Sequence, residues 1–196
     1  MTTRGTHDLV TIGASWGGLD ALRTVLGGLP SGFDAAVVVA QHRSPESHPT
    51  AFRDLLGATT PLRVCEAEDK DALRSGTVYL APPDYHILVD RESVALATDA
   101  PVHHARPSID VLFESAAESY RERLVGVILT GANDDGAQGL ASVVELGGMA
   151  IVEEPGSATR DEMPRAALAA VPSARIAAID AIAPLLLELC GQRVAA

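Results

Sequence analysis

Residues 10–22, VTIGASWGGLDAL, run from a β-branched apolar stretch through three glycines into an amphipathic helical pattern. Continuous apolar runs of the same kind, typical of strands buried on both faces, recur at 35–41, 124–130 and 149–154. Apolar residues at helical spacing occupy other segments, at 19–29, 109–120, 137–144 and 179–189. A strand followed by a helix, repeated along the chain, predicts an α/β fold: a doubly wound, mostly parallel sheet with helices on both faces.

One interval departs from this alternation. Residues 76–98, GTVYLAPPDYHILVDRESVALAT, contain three short strand-like pieces separated by PPD and DRES turns, with no helical pattern between them. This interval predicts an antiparallel excursion, a hairpin near one end of the sheet. The helix that follows is predicted to begin after Ser108, a residue type favoured at helix N-caps.

Length and composition favour one domain. With 196 residues, 47% of them hydrophobic, the chain can bury one good core, and we expect a single domain over residues 1–196. The formal net charge of −11 argues against nucleic acid as a partner, because phosphate binding needs clustered Lys and Arg. No segment has the pattern of a signal peptide or a membrane span, so we predict a cytoplasmic protein without membrane insertion.

The two cysteines, Cys65 and Cys190, lie far apart in apolar surroundings and match no metal-ligand spacing. They are predicted to be reduced thiols in the core. No metal site is expected.

The residues that follow the predicted strands carry the chemistry, since open α/β sheets bind ligands where the carboxyl ends of strands meet helix N-termini. Ser15 follows the first strand, Gln41 and His42 follow the second, and segment 130–136 follows the strand LVGVILT. A serine, a histidine and an aspartate are therefore predicted at one edge of the sheet, the combination that serine hydrolases use.

Ser15 has three possible roles in this position. GASWG fits the G-x-S-x-G turn that exposes a nucleophilic serine between a strand and a helix. Ser15 also fits the N-cap of the following helix. A dinucleotide-binding loop is disfavoured, because Ser15 replaces the middle glycine of that motif and the second strand ends in Gln41 and His42 instead of an acid.

His42 is placed to take the hydroxyl proton of Ser15, which is a weak nucleophile at neutral pH without a base. The other loop histidines, His48, His103 and His104, are predicted to be solvated or locally hydrogen-bonded, and not to act as bases.

The segment TGANDDGAQG, residues 130–139, supplies a carboxylate that could orient the histidine. Asn133, Asp134 and Asp135 equally fit the N-cap of the next helix. A calcium loop is disfavoured because its acids alternate, whereas these two aspartates are adjacent. The residues alone do not decide which aspartate faces the histidine.

Six segments in order resemble the catalytic domain of the chemotaxis protein-glutamate methylesterases, the CheB family. They are GASWGG, VVAQH, VYLAPPDYHILV, RPSIDVLFESAA, ILTGANDDGAQGL and EMPRAAL, and the resemblance covers about residues 8–190. It implies that Ser15 is the nucleophile, His42 the general base and Asp135 the orienting carboxylate. It further implies hydrolysis of glutamate methyl esters on chemoreceptors or receptor-like proteins, often with deamidation of glutamines, and no cofactor.

The chain departs from the family pattern near the implied site. Trp16 replaces the small residue that usually follows the serine, and Ala132 and Asn133 replace the Met and Gly of TGMG. Backbone N–H groups of Trp16 and Gly17 are the expected oxyanion donors. A phosphoacceptor receiver domain is missing from the 196 residues, so the sequence resembles the stand-alone members of the family.

Three further residues, Ala132, His86 and Arg106, are predicted to flank the substrate, although core packing and turn formation explain His86 and Arg106 equally well. Two other functions remain open: a serine esterase or amidase of this fold with a different substrate, and a signalling module without catalysis. The complete set of Ser15, His42 and Asp135 argues against the second.

Overall fold

The structure, a computed structural model, describes residues 3–43 and 50–192, so that His48 lies outside the described residues. The strands are β1 (Thr3–Arg4), β2 (Leu9–Ala14), β3 (Ala36–Gln41), β4 (Arg63–Glu66), β5 (Thr77–Leu80), β6 (His86–Asp90), β7 (Ser93–Ala97), β8 (Leu124–Ile128), β9 (Met149–Glu153), β10 (Arg175–Ala177) and β11 (Gly191–Gln192). The helices are α1 (Gly18–Gly27), α2 (Ala51–Gly57), α3 (Ile109–Tyr120), α4 (Ala137–Glu145), α5 (Glu162–Ala170) and α6 (Ile179–Cys190), with one 3₁₀ turn at Arg121–Arg123.

Seven strands form one parallel sheet in the order β10-β9-β8-β2-β3-β5-β4. Every residue of β2, β3 and β8 is buried, as expected for central strands covered on both faces. One core layer joins Val10 and Val37 to Leu22 of α1 and Ile182 of α6. The opposite layer joins other strand residues to α3, α4 and α5. The prediction of a doubly wound α/β fold is confirmed.

The predicted helical stripes correspond to α1, α3, α4 and α6. Their apolar residues face the sheet, and Leu22, Val25 and Leu26 of α1 are fully buried. Helix α3 covers residues 109–120 as predicted, and the Ser108 side chain caps it by accepting a hydrogen bond from Val111 N. Leu29 is buried, but it lies beyond the end of α1.

The interval 76–98 differs from its prediction in part. Its first piece, β5, is a parallel strand of the main sheet between β3 and β4. Only β6 and β7 form an antiparallel hairpin, and this pair is a separate sheet that packs on α3. Ser115 Oγ accepts from Val89 N at 3.1 Å, and Ser119 Oγ donates to Val89 O at 3.1 Å. A short apolar piece shows strand propensity without showing its partner, which tertiary packing selects.

Sequence patterning missed the two edge strands, β4 and β10. Neither has a continuous apolar run, because edge positions contact solvent, and Ile176 of β10 is 56% exposed. Cys65 lies on the edge strand β4 and is only partly buried, so the prediction that it is a core thiol is wrong. Cys190 is buried in the core, as predicted. Helices α2 and α5 were not predicted from periodicity either.

The topology places the carboxyl ends of β2, β3 and β8 side by side. The chain passes from β2 to β3 on one side and later returns to β8 on the other, so that β2 and β8 flank the point where the strand order reverses. Ser15 N donates to Thr130 O at 3.0 Å, and His42 N donates to Ala14 O at 3.1 Å. Among the described helices, none has the length and apolar character needed to cross a membrane.

Candidate active site

Ser15 lies on the turn between β2 and α1. The N-cap of α1 is Gly17, in the left-handed region with φ 79°, and none of the described side chains caps this helix. Gly18 N donates to Ser15 O at 2.9 Å, which tightens the turn. The alternative that Ser15 caps the helix is therefore wrong, and its side chain is free to face the neighbouring strand ends.

His42 follows β3 and contacts Ser15 directly: the distance from Ser15 Oγ to His42 Nδ1 is 3.2 Å. The side chain of Gln41 ties the two strand ends together, because its Nε2 donates to Ser15 O at 2.8 Å and to His42 O at 3.0 Å. A Cβ on Gly18 would collide with Gln41 Oε1, so this close packing requires glycine at the start of α1.

Asp135 is 2% exposed and accepts four hydrogen bonds. Its Oδ2 accepts from His42 Nε2 at 2.7 Å and from Ile109 N at 2.8 Å. Its Oδ1 accepts from Ser108 Oγ at 2.9 Å and from Asp110 N at 3.1 Å. Three of the donors belong to the start of α3. Asp135 therefore caps α3 and orients His42 at the same time, while Asp134 is exposed.

Asp110 makes the reciprocal arrangement at the start of α4. Its Oδ1 accepts from Gly136 N at 3.0 Å and from Gly139 N at 2.6 Å. Asp110 on α3 thus caps α4, and Asp135 in the loop before α4 caps α3, which fixes this loop against α3. The alternative that a side chain of residues 133–135 caps α4 is therefore wrong, because Asp110 of α3 accepts from the first N–H groups of that helix.

The two carboxyl groups have opposite pKa shifts. Burial acts to raise the pKa of Asp135, but the hydrogen bonds from His42 and from the Ile109 and Asp110 N–H groups outweigh it and lower the pKa. Burial, together with the charge of Asp135, raises the pKa of Asp110 despite its hydrogen bonds from Gly139 and Gly136. Asp135 is therefore the carboxylate that is held ionised beside the histidine.

An ionised Asp135 sets the tautomer of His42. Because Asp135 only accepts, His42 Nε2 carries the proton of their hydrogen bond, and Nδ1 presents its lone pair towards Ser15. The arrangement can remove a proton from the Ser15 hydroxyl and stabilise the resulting imidazolium.

Asn133 is a second neighbour of the same ring nitrogen. Its Nδ2 lies 3.3 Å from His42 Nδ1, and its Oδ1 is buried with no hydrogen-bond partner among the described residues. Sequence reasoning considered Asn133 only as a helix cap. Its place in the segment TGAN, where a Met and a Gly were expected, was the signal that could have identified it.

The outer edge of the site contains Trp16, Ala132 and Arg106. Trp16 is 64% exposed, and the Arg160 guanidinium lies over its ring at 5.7 Å from the centroid. Ala132 is also exposed. Arg106 is fixed by Asp84 Oδ1, with its Nη2 at 2.6 Å. Beside His42 lies a cavity of about 490 Å³, whose lining includes Arg106 and Asn133.

His86 does not lie at this edge, although the sequence placed it there. It is 2% exposed, its Nε2 donates to Ala100 O at 3.2 Å, and its Nδ1 accepts from Ser108 N at 3.2 Å. Both ring nitrogens hold the loop before α3, so His86 supports Ser108 and cannot contact a ligand. His103 and His104 are exposed, as predicted. No group of metal-ligating side chains occurs within residues 3–43 and 50–192.

Comparisons with known proteins agree with this fold. The family model described as CheB methylesterase matches residues 10–186. The crystal structure of the Thermotoga maritima CheB methylesterase catalytic domain superimposes with a TM-score of 0.88 and 32% identity, covering 93% of this chain and 98% of that one.

Among curated relatives, a Symbiobacterium thermophilum protein-glutamate methylesterase/protein-glutamine glutaminase is 44% identical over 147 residues, which are 74% of this chain and 40% of the relative. A Leptospira interrogans relative, whose name proposes the same two activities, is 44% identical over 150 residues, covering 76% of this chain and 77% of the relative. The chain thus spans most of one relative and less than half of the other. It belongs to the CheB methylesterase family.

Proposed function

We propose that this chain is a serine hydrolase that demethylates glutamate methyl esters on a chemoreceptor or receptor-like signalling protein and deamidates glutamines there. The observation that carries the proposal is the hydrogen-bonded series from Ser15 through His42 to Asp135. The names of the relatives supply the substrate class. Residues 8–190 act as one catalytic domain in the cytoplasm, with the receptor as partner.

Acylation begins when His42 Nδ1 takes the proton of the Ser15 hydroxyl. The oxygen attacks the ester carbonyl carbon, and Asp135 stabilises the charge that forms on the imidazole. The tetrahedral intermediate collapses when His42 returns its proton to the leaving oxygen. Methanol departs and the glutamyl group remains on Ser15 as an ester.

The oxyanion of the intermediate needs donors that are already in place. The N–H groups of Trp16 and Gly17 precede α1 and donate to no acceptor among the described residues. They also lie at the positive end of the helix dipole. We assign them to the oxyanion site, which the left-handed conformation of Gly17 helps to form.

Deacylation repeats the cycle with water as the nucleophile. His42 removes a proton from water, the acyl-enzyme is hydrolysed, and Ser15 regains its hydroxyl. Each proton passes through His42 Nδ1, so the chemistry needs neither a metal nor an organic cofactor.

A second candidate is a hydrolase of the same mechanism with another ester or amide substrate. Trp16 favours it, because an exposed ring directly after the nucleophile narrows the approach to Ser15.

The two candidates and a non-catalytic module are separated by two measurements on the full chain. A fluorophosphonate probe should label Ser15 stoichiometrically, and absence of labelling in folded protein would refute both enzymes. Methanol release from a methylated receptor fragment then distinguishes the methylesterase from a hydrolase with another substrate. Ser15→Ala should abolish labelling and lower turnover by about 10⁴- to 10⁶-fold. A decrease of only a few-fold would show that Ser15 is not the nucleophile.

A further inference from the structure

Asn133 is, after Ser15, the second side chain that contacts the ring nitrogen of the base. Its Nδ2 lies 3.3 Å from His42 Nδ1, the atom that also lies 3.2 Å from Ser15 Oγ. In acyl transfer, the protonated nitrogen of the base passes its proton from the nucleophile to the leaving group. The space beside Nδ1 that Ser15 does not fill is therefore where the leaving group receives that proton, and the Asn133 amide borders it.

Among the described residues, only His42 makes a hydrogen bond with this amide. Before reaction, the one lone pair of His42 Nδ1 lies within reach of two donors, the Ser15 hydroxyl and Asn133 Nδ2, so the Nδ2 end of the amide fits this state of the base. Asn133 Oδ1, at the other end of the amide, is buried and accepts from no described residue. A half-turn of the amide therefore breaks no hydrogen bond made by Oδ1.

Proton transfer to His42 Nδ1 changes which end of the Asn133 amide can form a favourable hydrogen bond there. Once Nδ1 has taken the proton of Ser15, an Nδ2–H group would oppose an N–H group. The half-turn removes this repulsion and brings Oδ1, an acceptor, beside Nδ1 and the leaving group. Asn133 can thus match both protonation states of the base.

The two leaving groups of the proposed reactions differ in what they offer this acceptor. The intermediate formed from a glutamine carries an amino group with N–H donors. His42 gives it a proton, the C–N bond breaks with its electron pair on nitrogen, and ammonia leaves the acylated Ser15. The intermediate formed from a methyl ester carries a methoxy oxygen, which has no hydrogen to donate to Oδ1.

We propose that Asn133 is a specificity-determining residue that favours the carboxamide substrate over the methyl ester by accepting a hydrogen bond from the departing nitrogen. This inference rests on the proposed function and assigns to one side chain the balance between its two reactions. Asn133 would be a catalytic residue for deamidation, because it touches the reacting nitrogen.

The test compares two peptides of identical sequence, one with a glutamine and one with a glutamate γ-methyl ester at the same position. Ammonia and methanol release give kcat/KM for each. Asn133→Ala is expected to lower the ratio of amide to ester kcat/KM by at least tenfold, about the effect of losing one hydrogen bond in the transition state. Asn133→Leu, which keeps side-chain bulk without polar atoms, should lower the ratio similarly and substitutes for the alanine variant if that one does not fold.

Asp134→Ala is the matched control, because Asp134 is adjacent to Asn133 and exposed. It should leave the ratio unchanged. An equal loss of both activities in the Asn133 variants would overturn the inference, as would methanol release without any ammonia release by the unmodified protein. Release of neither product by the unmodified protein would refute the proposed function as well.

Discussion

Replacing Asp135 by Asn tests whether one carboxylate both orients His42 and caps α3. The change keeps the size of the side chain and removes its charge. Asp135 receives four hydrogen bonds, two on each oxygen, so an amide group must face two donors in either orientation. Both orientations of the amide are unfavourable: one lowers stability, and the other changes the protonation of His42.

In one orientation, the amide nitrogen replaces Oδ1 and opposes the Asp110 N–H, while the Ser108 hydroxyl can turn and accept. One buried donor is left unpaired, which costs about 1–3 kcal/mol of stability. In the other, the amide nitrogen opposes the Ile109 N–H and His42 Nε2. His42 can then relieve the conflict only by moving its proton to Nδ1, where it can no longer accept the proton of Ser15.

Loss of the charge also removes the stabilisation of the imidazolium. We expect kcat for methanol release from Asp135→Asn to fall by about 10⁴-fold and its free energy of unfolding to fall by about 1–3 kcal/mol. Steady-state kinetics and urea denaturation measure the two effects. Asp134→Asn, in the exposed neighbour, should change neither.

The stability difference should depend on pH. The folded-state pKa of Asp135 is lowered, so its contribution is present above the ordinary value of 3.8 and is lost as the pH falls through the folded-state pKa. A kcat within tenfold of the unmodified protein would refute the orienting role. Reduced stability with full activity would leave Asp135 as a helix cap only.

Three further substitutions test other parts of the site. Glu153 is 2% exposed, its carboxylate accepts a hydrogen bond from Thr130 N, and burial raises its pKa. Ionisation of Glu153 therefore lowers the free energy of unfolding as the pH rises through the folded-state pKa. Glu153→Gln should raise the melting temperature at pH 8 and have little effect at pH 3.5. Trp16→Ala should lower KM for a receptor fragment more than for a small ester, because the exposed ring narrows the approach to Ser15; equal changes would exclude a selective effect of the ring on the protein substrate. Gly17→Ala should lower the free energy of unfolding, measured by urea denaturation, by about 1–3 kcal/mol. The reason is that φ of Gly17 is 79° and the new Cβ would lie 2.7 Å from Thr159 Cβ. Unchanged stability would contradict this backbone conformation.

Much of the fold could be predicted because its central elements have strong periodic patterns. The strands β2, β3 and β8 are buried along their whole length, so their apolar runs are continuous. The edge strands β4 and β10 contact solvent and lack that pattern. The pairing of β5 with β3 could not be predicted, because local propensity does not identify a partner strand.

The sequence by itself determined the α/β class and brought Ser15, His42 and an aspartate to the carboxyl ends of strands. Polar side chains are disfavoured inside buried strands, so these three residues must lie in the turns that follow the strands. Only the tertiary structure decided that His86 is buried against Ser108, that Asp110 caps the helix after Asp135, and that Asn133 touches the base. These contacts join residues 22 to 91 positions apart. Their geometry depends on how α3 and α4 pack, which no local pattern encodes.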